Sequence, residues 1–119
     1  MQITKCLHSA ILVSNLEKSE QFYSNVLGLQ KMDRDLKFPG IWYQIGNFQI
    51  HLILAATIIP DAVDYDKLGR NRHLAFSVAN LEAAKQQLAA SNCPVQMSAS
   101  GRSALFTQDP DGNIIELSE

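Results

Sequence analysis

The chain has 119 residues, 46% of them hydrophobic and 18% charged, the size and make-up of one packed globular domain rather than a disordered segment. Twelve acidic against ten basic residues leave a net charge of −2, and the lysines and arginines are scattered, so there is no basic stripe to neutralise nucleic-acid phosphates. The longest apolar run, Leu52 to Ile59, falls far short of the ~20 residues a membrane-crossing helix needs. The N-terminal residues carry no long apolar stretch with a cleavage site, and Cys6 and Cys93 form neither a Cys-x-x-Cys pair nor a disulfide framework; a reducing, cytoplasmic setting is the expectation.

In chain order, residues 4–13 alternate and are rich in β-branched side chains, which predicts a strand. Asn15 stands at an N-cap position before a helix whose apolar stripe is Leu16, Phe22, Tyr23, Val26 and Leu27, and Gly28 ends it. Strands follow at about 29–36, 41–46 and 48–56, with Gly46-Asn47 at a hairpin corner. Residues 57–70, punctuated by Pro60 and Gly69, read as a linker. A strand at 72–79 comes next, then a helix capped by Asn80 with Leu81, Ala84 and Leu88 on its apolar face, stopping by Asn92 because Pro94 cannot continue it. Strands at 94–99, 103–108 and 113–118 complete the chain, the last two joined by Asp109-Pro110-Asp111-Gly112.

An internal repeat underlies this order. At an offset of 65, His8-to-Glu17 aligns with His73-to-Glu82, with identities at His8/His73, Ala10/Ala75, Val13/Val78, Asn15/Asn80, Leu16/Leu81 and Glu17/Glu82. Without a gap the same offset carries Ile50-His51-Leu52 onto Ile115-Glu116-Leu117. The architecture is therefore α+β: one domain of two βαβββ modules, about 4–56 and 70–118, expected to form a cupped mixed sheet around a cavity.

All three histidines fall at repeat-related strand positions: His8 pairs with His73, and His51 with Glu116. Residues two apart on a strand share a face, so His8 stands with Cys6, Ala10 and Leu12, and His73 with Ala75, Ser77 and Ala79. The bulkier Ile11, Val13, Leu74, Phe76, Val78, Ile50, Leu52, Leu54, Ile115 and Leu117 occupy the opposite faces, which must meet the helices. Three imidazoles and a carboxylate facing a cavity suit a divalent transition metal (Ni, Zn, Co, Mn or Fe(II)) rather than calcium. If His51 stands back, His8, His73 and Glu116 remain as a two-His-one-carboxylate set with more open positions.

The run Leu7-to-Ser19 with Phe22-Tyr23 and Leu27-Gly28-Leu29, the strand Arg72-to-Val78, and the hairpin Phe106-to-Leu117 resemble the vicinal oxygen chelate superfamily, which includes glyoxalase I, fosfomycin-resistance proteins, extradiol dioxygenases and bleomycin-resistance proteins. The resemblance spans nearly the whole chain. It implies paired βαβββ modules around a metal, often with chain exchange in a homodimer, and it matches His8, His73 and Glu116 to the family's ligand positions. Glyoxalase I usually carries a carboxylate or amide where this chain has His51.

Together these features point to a metalloenzyme that acts on a small vicinal-oxygen substrate, thiol-conjugated in the glyoxalase case, through a metal-stabilised enediolate or alkoxide. His8, His51, His73 and Glu116 are the expected metal ligands, with Glu116 or His51 moving the proton. Arg70, Arg72 and Arg102 are candidates for an anionic substrate group. Trp42 and Tyr43, adjacent on a strand, must face opposite ways, one toward the cavity and one into the core. A small-molecule-sequestering protein of the bleomycin-resistance kind and an Fe(II) dioxygenase are the alternatives. The expected partners are a small molecule and a second copy of the chain, with no nucleic acid and no membrane.

Overall fold

A computed structural model describes all residues, 1–119. The chain divides into two compact units, Met1–Ile58 and Ile59–Glu119.

The first unit opens with β1 (His8–Val13), whose alternation buries Ile11 and Val13 and leaves His8, Ala10 and Leu12 on the other face. The pairing starts at His8 rather than residue 4, and residues 1–7 are exposed. Asn15 caps the helix that follows, its side chain accepting from Lys18 N at 2.9 Å. That helix is α-helical only over α1 (Leu16–Glu20) and widens into a π-helical turn over Gln21–Val26, where Phe22 and Tyr23 are both buried. Gly28, at φ 72°, ends it in the left-handed region, and Leu29 N–H reaches back to Tyr23 O at 2.9 Å, closing the last turn. β2 (Gln30–Lys31) is much shorter than 29–36, since the charged run Asp33-Arg34-Asp35 is poor strand material. β3 (Gly40–Ile45) and β4 (Phe48–Leu54) form a hairpin around Gly46. The strand order is β1-β4-β3-β2, with β1 and β4 parallel and the other pairs antiparallel. α1 packs on β3, and Tyr23, Tyr43, Ile50 and Leu52 are fully buried. Leu54, expected among them, lies at the strand end and is exposed.

The second unit repeats the plan: β5 (Leu74–Ser77), α2 (Leu81–Ala90), β6 (Gln96–Met97), β7 (Ala104–Gln108) and β8 (Ile114–Ser118), in the order β5-β8-β7-β6. Asn80 caps α2 by accepting from Ala83 N at 2.9 Å. Asn92 takes the left-handed conformation just past the helix, at φ 58°. α2 packs on β7 and β8, with Leu81, Leu88, Leu105, Ile115 and Leu117 buried. The hairpin between β7 and β8 is tied by Asp109, whose Oδ1 accepts from Asp111 N and Asn113 N, both at 2.9 Å.

The repeat extends to strand register. Ala10 lies opposite His51 across β1–β4, and Ala75 lies opposite Glu116 across β5–β8, so the offset of the sequence repeat is kept in the pairing. On the far side of the same two central strands, Trp42 faces His51 and Phe106 faces Glu116. Each module is thus a four-stranded mixed sheet with helix on one face and a chemically loaded residue at the middle of the other.

Candidate functional site

In the first unit His51 sits mid-sheet on β4 between a small neighbour, Ala10, and a large one, Trp42. The Trp42 indole lies flat against the imidazole, with centroids 3.6 Å apart and planes within 4°. His8, on β1, stacks from the other flanking strand at 4.1 Å and 16°. The Arg34 guanidinium carbon lies 4.1 Å from the Trp42 ring centre, completing a column Arg34–Trp42–His51–His8. Tyr43, the other member of the adjacent aromatic pair, is in the core with its hydroxyl 2.8 Å from Ser24 Oγ. Burial, followed by the neighbouring His8 and Arg34 charges, pushes the His51 pKa below its ordinary 6.5, so the ring is neutral at neutral pH. Its Nε2 lies 2.9 Å from Gln49 Oε1. Two rings stacked face to face run their in-plane lone pairs side by side, so chelation of one ion by both His8 and His51 requires one ring to turn.

In the second unit Glu116 is 6% exposed, mid-sheet on β8. Its Oε1 accepts from Arg102 Nη2 at 2.9 Å and from Ser118 Oγ at 2.8 Å, while Oε2 lies 2.9 Å from His73 Nε2. Burial opposes ionisation of this carboxyl, but the Ser118, Arg102 and His73 hydrogen bonds, with the Arg102 charge, outweigh it and hold the pKa below 4.5. The other His73 nitrogen, Nδ1, is 2.7 Å from the Asn71 carbonyl oxygen. A carbonyl can only accept, so Nδ1 carries the hydrogen and Nε2 is the nitrogen turned to the carboxylate. The His73 Nε2–Glu116 Oε2 contact thus brings one nitrogen and one carboxylate oxygen together, a pair that a metal ion could take in place of their shared hydrogen. The Nδ1–H bond to Asn71 is the support that metal-binding histidines ordinarily receive from a hydrogen-bonded second nitrogen.

His73 and Glu116 line a cleft of about 490 Å³ together with Lys67, Arg70, Arg102 and Phe106. The segment read from sequence as a linker forms one wall of it. A 3-10 turn at Leu68–Arg70 lies so close to Phe106 that a Cβ on Gly69 would stand 2.6 Å from the ring. Asn71 folds this segment: its Oδ1 accepts from Val63 N at 2.6 Å and Asp64 N at 2.9 Å, and its Nδ2 donates to Asp64 O at 2.7 Å and Leu68 O at 3.0 Å. Of the three arginines singled out above, Arg70 and Arg102 reach the cleft, whereas Arg72 pairs with Asp61 at 2.7 Å. Cys6 is exposed.

Thus the structure brings His8 to His51 and His73 to Glu116. Within neither unit do three or more His, Cys, Asp and Glu side chains gather closely enough to hold a metal on their own. Gln49, Ser118 and Asn71 escaped the sequence reading, although each stands two residues from a site residue, the spacing that puts strand neighbours on one face.

The pattern of the glyoxalase/bleomycin resistance protein/dioxygenase superfamily matches residues 5–117. The chain belongs to that superfamily. It is 30% identical to lactoylglutathione lyase of Salmonella typhimurium, over 97% of this chain and 92% of that one. It is 27% identical to human mitochondrial methylmalonyl-CoA epimerase, over 94% and 72% respectively. Among solved structures, a glyoxalase family protein from Bacillus anthracis superposes with a TM-score of 0.80 at 22% identity, covering 98% of this chain and 95% of that one, a likeness of fold. Such superfamily relatives include enzymes, a lyase and an epimerase. No helix of this chain is long and apolar enough to cross a membrane.

Proposed function

We propose that the protein is a metal-dependent enzyme that moves a proton at the carbon next to the carbonyl of a small, thiol-linked substrate. The observation that carries this reading is the His73–Glu116 pair at the cleft, where two electron-rich atoms lie 2.9 Å apart with their outer bonds already made. The substrate class is supported by the names of the two relatives, since lactoylglutathione and methylmalonyl-CoA are both thioesters with an acidic C–H beside the carbonyl.

This donor set fits a divalent transition metal. His73 Nε2 and Glu116 Oε2 would hold it, with His8 as the further ligand and His51 left off the ion. When bound, the ion supplies positive charge to stabilise an enediolate. The chain's own groups do the rest. Arg102 and Ser118 occupy Glu116 Oε1 and keep the carboxylate ionised and aimed at His73. A neutral His51 is a base matched to neutral pH, able to take the substrate proton and return it. In that exchange the C–H bond breaks and its electron pair moves onto the carbonyl oxygen. The reverse flow returns the proton to the same carbon, whereas delivery to the adjacent carbon also requires the hydroxyl on the first carbon to pass its proton to that oxygen and become the new carbonyl. Lys67 and Arg70, at the cleft rim, offer charge to an anionic part of the thiol carrier.

The test is incubation of the protein with Ni, Zn, Co, Mn or Fe(II) in deuterated water with lactoylglutathione or methylmalonyl-CoA. Metal-dependent deuterium uptake at the carbon next to the carbonyl is expected. Tight binding without exchange would mark a sequestering protein instead.

A further inference from the structure

We infer that Gln44 and Gln49 are positioning residues that fix His51 as the tautomer carrying its hydrogen on Nε2, leaving Nδ1 as the nitrogen free to take a proton. The inference rests on the reading that His51 serves the site, and it concerns how the chain prepares that ring.

Backbone carbonyls, which can only accept, anchor a chain of side-chain hydrogen bonds that ends at the His51 ring. One end of the Gln44 side-chain amide lies 2.6 Å from Gly46 O and 3.4 Å from Phe48 O. Carbonyl oxygens only accept, so that end is the NH₂ and the other is the oxygen. The Gln44 oxygen lies 2.9 Å from the Gln49 side chain, which therefore presents its own NH₂ there. That orientation turns Gln49 Oε1 toward His51 Nε2, also at 2.9 Å. An amide oxygen cannot donate, so the imidazole must. Each hydrogen bond leaves the next group one choice, from the tight turn at Gly46 to the ring.

The aromatic column makes the choice matter. Held between Trp42 and His8, the His51 ring is confined to its plane, and the one alternative that keeps the stack is the ring flipped by a half-turn about its Cβ–Cγ bond. A half-turn exchanges nitrogen for carbon at the Gln49 oxygen and loses the hydrogen bond. The relay therefore selects both the ring orientation and the tautomer. It also differs from the arrangement at His73, where a backbone carbonyl holds Nδ1–H and Nε2 faces the Glu116 carboxylate. The two modules thus present opposite nitrogens of their histidines, by different devices.

The experiment is ¹⁵N NMR of the full chain with labelled histidine, at mildly alkaline pH where imidazoles are neutral. Protonated and bare ring nitrogens have well-separated shifts, and with three histidines in the chain the His51 signals are assigned by their loss in His51→Gln. The expected result is a protonated Nε2 and a bare Nδ1. Gln49→Leu should lower the ratio of this tautomer to the other by about tenfold, the size of one hydrogen bond, and Gln44→Leu should lower it less. Gln49→Glu, which keeps an acceptor, should retain it. A wild-type His51 bearing its hydrogen on Nδ1 overturns the proposal whether or not any variant folds, as does an unchanged ratio in a folded Gln49→Leu. The tautomer is read without turnover, so a chain that exchanges no substrate proton but keeps Nε2–H sinks the catalytic reading alone.

Discussion

Glu116 and His51 both bind protons less readily in the folded chain than in the unfolded one, and this sets how stability follows pH. For His51, stability is complete above about 6.5 and falls as pH drops from there toward the lower native value, because the unfolded chain gains protons first. For Glu116 the same loss begins below about 4.5 and ends as pH passes the native value. The metal-free protein should therefore lose stability in acid in two stages. Denaturant midpoints measured across pH check this, and His51→Phe should abolish the upper stage alone. A midpoint that rises as pH falls through 6.5 would contradict the assignment. At this scale the sequence revealed His8, His51, His73 and Glu116 through the repeat, since equivalence needs no coordinates. It could not reveal what each touches. That His51 is clamped by Trp42, or that Arg102 crosses fourteen residues of chain to reach Glu116, depends on strand register and side-chain reach.

Helices, hairpins and the joining segment carry different shares of the fold. Asn15→Ala and Asn80→Ala should each cost about 1 kcal/mol, read from unfolding curves, because each removes a side-chain acceptor from a helix's first turn. Asn71→Ala should cost more, about 2–3 kcal/mol, since it removes the buried Asn71 side chain's hydrogen bonds to the backbone of Val63, Asp64 and Leu68 at once. It should also weaken metal binding, because the carbonyl that orients His73 belongs to the same residue. The caps, the end of the first helix at Gly28 and the succession of elements along the chain were legible from residue type and alternation. The π-helical turn at Gln21–Val26 was not, because an apolar stripe reads alike at both helical pitches over so short a span. Nor was the role of 57–70. Pro60 and Gly69 mark it as irregular, but a wall of the cleft differs from a tether only through the contacts of Asn71, Gln96 and Phe106.

For the whole molecule, a homodimer is the expected assembly, checked by sedimentation, with one divalent ion per chain. Mixing His8→Ala and Glu116→Ala chains should restore about half the metal binding per dimer if the ligands of one ion come from two chains, since one of the two sites in the mixed dimer is then intact. The repeat made two modules readable from sequence because it is a relation within one chain; assembly is a relation between chains and left no comparable mark. The central claim is that His73 and Glu116 hold a catalytic metal. It is tested most directly by calorimetric titration of chelator-stripped protein with Ni, Zn or Mn, wild type beside Glu116→Ala and His73→Ala. Uptake of one ion per chain, weakened about ten- to a hundredfold in each variant, is the predicted result. No uptake by the folded wild type, or equal affinity in all three chains, would contradict it.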